Sequence, residues 1–172
     1  DIRYNNEQAF RWACMGNSYS IVKWLYKISI KNKNPIDIHA KNEDAFRSLC
    51  RNDSKLEIAK WLLDISIENN DPIDIHAKNE DAFRFSEPKT SKWLYNVSNE
   101  KKLGIIDIYA NNNYFFHINH NLESIKWLLT LYTKEKLIKL NSPLSKIELK
   151  NRRKTNANLI LYLFKKKFKL LD

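Results

Sequence analysis

Four histidines are the side chains of this chain whose chemistry suits metal binding or proton transfer. His39 and His76 hold the same place in two copies of one phrase, which favours a structural role in a turn over catalysis. His117 and His120 lie three residues apart and can share one helix face. A zinc site needs three or four protein ligands, and no third ligand has a fixed spacing to this pair. The sequence therefore predicts no metal centre.

Acidic pairs and thiols give no stronger sign of catalysis. Glu43-Asp44 and Glu80-Asp81 are adjacent acids at predicted helix starts, where the helix dipole stabilises negative charge. Neighbouring residues on a helix do not face each other, so neither pair suits general acid–base chemistry. Cys14 and Cys50 are one repeat position seen twice, and we expect buried, reduced thiols. With no phosphate loop or nucleophile elbow in the sequence, we predict no enzyme, no cofactor and no small-molecule substrate.

Basic residues are concentrated at the carboxyl end. Residues 134–172 carry 12 Lys/Arg and 3 Asp/Glu, whereas residues 1–133 carry 18 and 17. Such clusters predict either nucleic-acid or anionic-surface contact, or the solvated face of a capping helix, and the second interpretation is favoured. The candidate anion-binding residues are Arg152, Arg153, Lys154, Lys165, Lys166 and Lys169.

The elements that position these groups are sequence repeats. Twelve identical residues occur at 36–47 and again at 73–84, and weaker copies lie at 1–11 and 106–117. A Lys-Trp-Leu core follows in step, at spacings of 37, 32 and 34 residues. The predicted repeats are therefore 1–36, 37–73, 74–106 and 107–136. Because a unit of this length cannot bury its own apolar face, we expect the repeats to stack as a solenoid.

Each repeat is predicted to contain two helices and an extended link. The first helix starts near Glu43 and the second contains Trp61, since apolar residues recur at three- and four-residue steps in both segments. Ser54 and Glu57 fit a capping box, and Pro35 and its equivalent Pro72 are predicted to end the second helices.

The third and fourth repeats are shorter between their two helices. We expect their first helices to be short or irregular. Ser86-Glu87-Pro88 is predicted to start the second helix of repeat three early, with Pro88 in its first turn. The basic segment 137–172 is predicted to form a carboxyl-terminal cap, because the last repeat of a solenoid needs a polar outer face.

Two ladders recur at single repeat positions. The tryptophans are predicted to pack between repeats. For the arginines, bridging between repeats and contact with a partner remain open alternatives. The ladders are Trp24, Trp61, Trp93 and Trp127, and Arg11, Arg47 and Arg84.

The loop tips are predicted to contact another protein, because loops on a rigid scaffold commonly carry binding residues. The residues predicted to contact a partner are Lys41, Asn42, Arg47, Lys78, Asn79, Arg84, Asn111 and Asn112.

The arrangement resembles the ankyrin repeat. Ala-Phe-Arg falls where that family begins its first helix with Thr-Pro-Leu-His, and Lys-Trp-Leu-Leu falls on the Val-x-x-Leu-Leu helix. Ser142-Pro143-Leu144-Ser145 is similar to the same motif, so the tail resembles a decayed fifth repeat. The linker phrase looks like the ankyrin proteins of giant DNA viruses, whose AT-rich genomes suit the excess of Asn, Ile and Lys. The resemblance implies an all-α solenoid with hairpin-like loops whose tips and first helices bind proteins.

Composition limits the remaining classes. No run approaches the ~20 apolar residues of a membrane span, and no secretion signal opens the chain. We expect an intracellular protein, in the cytoplasm of a cell or host cell or in a virion. Because the chain begins in register with a repeat and without Met, we interpret it as part of a longer array. A non-catalytic protein-binding function is predicted, with an architectural role in a virion or larger array as a further alternative.

Overall fold

A computed structural model describes residues 3–16, 18–111 and 122–131, and this part of the chain is all-helical. The chain divides into two units, Asp1–Phe115 and Phe116–Asp172. In the second unit the structure describes the helix Leu122–Leu131. The helices of the first unit are α1 (Tyr4–Met15), α2 (Tyr19–Lys31), α3 (Ala40–Cys50), α4 (Leu56–Glu68), α5 (Ala77–Arg84) and α6 (Pro88–Glu100), with a 3-10 turn at Asp53–Lys55 before α4. Over the described residues, no helix is long and apolar enough to cross a membrane.

The six helices of the first unit pack as successive pairs. Helix α1 packs against α2, α3 against α4 and α5 against α6, while α1 also contacts α3 and α3 contacts α5. The repeat phenylalanines Phe10, Phe46 and Phe83 are fully buried, and each lies on a helix that contacts both its own partner helix and a neighbouring first helix. The apolar stripes predicted from the sequence therefore form this core. The predicted burial of Cys14 and Cys50 is also confirmed.

Each first helix opens with three residues in the left-handed conformation, at 5–7, 41–43 and 78–80. The φ and ψ angles of Lys41 are 59° and 41°, and those of Lys78 are 57° and 41°, so the two identical phrases adopt one conformation. For side chains other than glycine this conformation costs about 1–2 kcal/mol per residue. The predicted helix start near Glu43 is thus a left-handed turn followed by a regular helix.

The second helices end differently from the prediction. Prolines 35 and 72 were expected to stop α2 and α4, but these helices end at Lys31 and Glu68. Lys33, with φ 53°, donates its N–H to the Ile30 carbonyl, and the next residue, Asn34, donates to the Ser29 carbonyl. This Schellman arrangement satisfies the last carbonyls before the proline is reached.

The shortened third repeat agrees with the sequence. Helix α5 has 8 residues, against 12 in α1 and 11 in α3. Helix α6 begins at Pro88, in its first helical position, as predicted. The first helix expected in repeat four and the cap 137–172 lie outside the described residues.

Asp53 connects two neighbouring repeats at the start of their second helices. One carboxylate oxygen of Asp53 accepts hydrogen bonds from the Thr90 N–H and hydroxyl, both at 2.8 Å, and the other accepts from the Lys89 N–H at 3.1 Å. In return, the Glu87 carboxylate accepts from the Asp53 N–H at 2.8 Å. The predicted capping box of Ser54 and Glu57 is wrong, since α4 has no side-chain cap. Instead, the Asn52 side chain accepts from the Ser54 N–H at 2.8 Å, while Glu87 of the next repeat accepts from the Asp53 N–H.

We expect Asp53→Ala to lower the free energy of unfolding by about 1–2 kcal/mol, because it leaves the first amides of α6 without an acceptor. Urea denaturation measures the change. The matched control is Asp64→Ala, which also removes a carboxylate that bridges two repeats. Asp64 pairs with Lys101 at 2.6 Å, but both side chains are exposed, so a loss of about 0–1 kcal/mol is expected. Equal losses in the two variants would show that the inter-repeat cap is not formed in solution.

Candidate interaction surface at the left-handed turns

The three left-handed turns at 5–7, 41–43 and 78–80, here called the turn row, present one pattern of burial. The first two residues of each turn are exposed and the third, a glutamate, is buried. The predicted contact residues Lys41, Asn42, Lys78 and Asn79 are therefore exposed. Asn111 is also exposed, with φ 52°, whereas Asn112 lies outside the described residues.

An arginine from the same repeat holds each turn in shape. The Arg47 Nε donates to the Asn42 carbonyl at 2.7 Å and its Nη2 to the Lys41 carbonyl at 3.3 Å. Arg84 makes the same two bonds to Asn79 and Lys78, and Arg11 makes them to the first turn. A guanidinium offers several donors in a fixed planar fork, which suits two carbonyls that point the same way. These bonds offset part of the cost of the left-handed backbone.

Two of these arginines also bridge successive repeats. The Arg11 Nη1 donates to the Asp44 carboxylate at 2.7 Å, and the Arg47 Nη1 donates to Asp81 at 2.8 Å. Arg47 also bonds Asp44 of its own helix at 3.2 Å. Of the two alternatives left open by the sequence, bridging between repeats is what the structure shows for Arg11 and Arg47. The side chains of Arg47 and Arg84 are only 12% and 10% exposed, and their guanidinium groups are bound within the chain.

The buried glutamates tie each turn to a link between helices. The Glu43 carboxylate bonds the His39 ring at 2.9 Å and accepts from the Asp74 N–H at 3.4 Å. Glu80 repeats this with the His76 ring at 2.7 Å and the Asp107 N–H at 3.1 Å. His39 and His76 therefore serve the turns, as the sequence predicted.

The tryptophan ladder packs unevenly. Trp61 makes edge contacts with Tyr19 and Tyr26 of the preceding repeat, with ring centroids 6.1 and 5.6 Å apart. Trp93 contacts Phe46 at 6.3 Å. Both contacts confirm packing between repeats, but Trp24 is 58% exposed.

The remaining candidate groups are possible metal ligands, the buried thiols and the basic clusters. Among residues 3–16, 18–111 and 122–131, no group of three or more His, Cys, Asp and Glu could hold a metal ion. Burial raises the pKa of the Cys14 thiol to about 12, so this thiol is protonated and unreactive at neutral pH. The candidate anion-binding residues, together with His117 and His120, lie outside the described part of the chain: Arg152, Arg153, Lys154, Lys165, Lys166 and Lys169.

Sequence reasoning missed the left-handed turns and the role of Asp53. One signal was available for the turns, because Asn or Lys followed by Asn and Glu precedes each Ala-Phe-Arg, and Asn tolerates the left-handed conformation better than most residues. No comparable signal marks Asp53, whose partners lie 36 and 37 residues away. In comparisons with known proteins, no protein family, curated protein or solved structure matches this chain.

Proposed function

We propose that this chain is a non-catalytic protein-binding scaffold, built as an ankyrin-like repeat solenoid, whose turn row contacts another protein. The observation that carries the proposal is the exposure of Lys41, Asn42, Lys78 and Asn79 on turns of identical backbone conformation. In the resembled family, loop tips and first helices form the binding surface. A viral protein that engages a host protein is the setting that the resemblance suggests.

The repeated contacts between helix pairs support a solenoid. Arg11 and Arg47 are equivalent residues, and each bonds an aspartate at an equivalent position in the following helix pair. Asp53, just before α4, bonds the start of α6. Recurrence of the arginine–aspartate contact from one helix pair to the next is what stacking of similar units predicts.

Rigidity supports binding by the turn row. The carbonyls of Lys41 and Asn42 are held by Arg47, while Glu43 anchors the turn in the interior. The side chains of Lys41 and Asn42 bond no other described residue, so they are available to a partner. A preorganised surface loses less conformational entropy on binding than a flexible loop does.

The test compares two charge-matched triple variants by quantitative affinity purification. The first carries Lys41→Asn, Lys78→Asn and Asn79→Asp in the turn row, and asparagine is already accommodated at the equivalent Asn5. The second carries the exposed-site changes Lys27→Asn, Lys31→Asn and Asn96→Asp on the second helices.

We expect a protein retained by the wild type and by the second variant to be lost from the first by at least about tenfold, or about 1.4 kcal/mol. Equal retention by both variants would reject the turn row as the binding surface. A wild type with no specific partner would instead favour the architectural alternative.

Nucleic-acid binding is the second candidate, because residues 134–172 hold nine of the ten net positive charges. Contacts to phosphates predict affinity for duplex DNA that falls steeply as salt rises. Neutralising Arg152, Arg153 and Lys154 to glutamine should weaken binding and lessen the salt dependence, as measured by fluorescence anisotropy. Unchanged affinity would reject these residues as the contact site.

A further inference from the structure

In each turn of the turn row, one arginine or histidine side chain contacts both the buried glutamate of the turn and the link that follows the helix pair. In the first turn this side chain is Arg3. Its Nε donates to the buried Glu7 carboxylate at 2.7 Å, and its Nη1 donates to the Asn34 side-chain oxygen at 3.2 Å. Arginine is always charged and supplies both donors at any accessible pH.

Histidines occupy the equivalent position in the next two turns. The His39 Nδ1 lies 2.9 Å from Glu43 and its Nε2 lies 3.3 Å from the Asp71 carboxylate. The His76 Nδ1 lies 2.7 Å from Glu80, and its Nε2 lies 2.9 Å from the Leu103 carbonyl oxygen. Both nitrogens of the His76 ring therefore hydrogen-bond oxygen acceptors, whereas the His39 Nε2 lies near the Asp71 carboxylate without forming a hydrogen bond to it.

This geometry sets the protonation state of the rings. A neutral imidazole has one N–H, so one of its nitrogens would direct a lone pair at an oxygen. The Leu103 carbonyl cannot donate a hydrogen, and an ionised Glu80 cannot either. An imidazolium has two N–H groups and satisfies both contacts, as Arg3 does in the first turn.

We propose that His39 and His76 act as imidazolium clasps, which hold each turn against its following link only while doubly protonated and so make the order of the turn row depend on pH. Loss of the proton breaks one of the two hydrogen bonds of His76, and at His39 it removes the charge attraction between the ring and the Asp71 carboxylate, so each link is held less firmly. The inference does not depend on whether the turn row binds a partner.

The charged groups facing the clasps are acidic. Glu80 and Asp74 face His76, while the link contributes the backbone carbonyl of Leu103. Burial alone lowers the pKa of His76, but the hydrogen bonds to Glu80 and Leu103 and the two carboxylate charges outweigh it and raise the pKa above 6.5.

The same balance acts at the first clasp. Burial alone lowers the pKa of His39, but its hydrogen bond to Glu43 and the charges of Glu43, Asp71 and Asp37 outweigh it and raise the pKa above 6.5. Burial raises the pKa of the Glu43 carboxyl as well, so this pair also retains protons more strongly in the folded chain.

Gly104 shows how closely the link approaches the second clasp. A Cβ atom added at Gly104 would lie 2.6 Å from the His76 Nε2, and the backbone there has φ +101°. Only glycine fits this approach without moving the ring. Glycine at this position therefore lets the backbone come close enough for the His76 ring to bond the Leu103 carbonyl.

The pH dependence has a defined sign. Because the folded pKa of each histidine is raised above 6.5, its stabilisation is complete below pH 6.5 and is lost as the pH rises through the folded pKa. Within that window, the unfolding equilibrium constant should grow by up to about tenfold per pH unit for each histidine.

The test follows the ring nitrogens of His39 and His76 in the full chain by ¹⁵N NMR, with single His→Gln variants for assignment. We expect the chemical shifts of an imidazolium at neutral pH and midpoints above 6.5 in the folded protein. In urea, both midpoints should return to the ordinary value of about 6.5. A neutral tautomer at pH 6.5, or folded midpoints at or below the unfolded ones, would overturn the proposal.

A stability measurement separates the clasps from His117 and His120. The double variant His39→Arg/His76→Arg copies the first turn and carries two permanent cations. Between about pH 6.5 and 9, the free energy of unfolding should fall more steeply with rising pH in the wild type than in this variant. Identical pH profiles of the free energy of unfolding would also overturn the proposal. If the variant does not fold, the NMR titration of the wild-type histidines still tests the proposal.

Discussion

Arg47→Ala should lower the free energy of unfolding by about 3 kcal/mol, because it removes one partner of a buried ion pair. The Arg47 guanidinium bonds Asp81 at 2.8 Å and the Asn42 carbonyl at 2.7 Å, and the side chains of Arg47 and Asp81 are both about nine-tenths buried. Its loss leaves the Asp81 carboxylate short of a donor in the interior. It also leaves the left-handed turn at 41–43 without the bonds that hold its carbonyls.

The chain supplies a control for this variant. Arg51 bonds the same Asp81 oxygen at 3.2 Å, but its side chain is 51% exposed and holds no turn. Arg51→Ala should cost about 0–1 kcal/mol, as exposed ion pairs do. Urea denaturation of both variants measures the difference. Comparable losses would mean that the Arg47 contacts contribute no more than a surface pair.

Phe46→Ala should cost about 3–5 kcal/mol, since a fully buried phenylalanine is replaced by a cavity. Helix α3 contacts both α1 and α5, so the loss should also loosen the two neighbouring helices. Hydrogen exchange measures this spread, and we expect faster exchange in α1, α3 and α5. Exchange confined to α3 would contradict stacking of mutually dependent repeats.

Two further substitutions separate the effect of the size of the cavity from the effect of its position in the fold. Phe46→Leu keeps most of the apolar volume and should cost less than about 1.5 kcal/mol, with little spread to the neighbours. Phe10→Ala makes an equal deletion in α1, which contacts α2 and α3. Its effect on exchange should extend toward α3 and fade before α5.

The helices were predictable because each signal is local. Ala45 and Phe46 followed by Leu49 mark one face of α3, and Pro88 marks the first position of α6. Burial of Phe10, Phe46 and Phe83 followed from the same spacing. The exposure of Lys41 and Lys78 was also anticipated, since they fall between the apolar segments. Their role in binding remains a prediction.

The details of the turn row were not predictable, since they depend on side-chain contacts within and between repeats that form only when the chain folds. Lys41, Asn42 and Glu43 have no strong local preference for three consecutive left-handed residues. They adopt this conformation because Arg47 holds the carbonyls and Glu43 finds donors in His39 and in the Asp74 N–H. Helix propensity suggested a regular start, and the tertiary contacts outweighed it.

By itself, the sequence determined the all-helical class, the apolar faces and the recurrence of equivalent residues. Periodicity is enough for these features, because a helix displays every third or fourth side chain on one face. Only the tertiary structure decided that Arg11 and Arg47 bridge repeats, that Asp53 caps α6 and that both His76 nitrogens bond oxygen acceptors. These contacts join residues about one repeat apart, and their geometry exists only once neighbouring repeats have packed together.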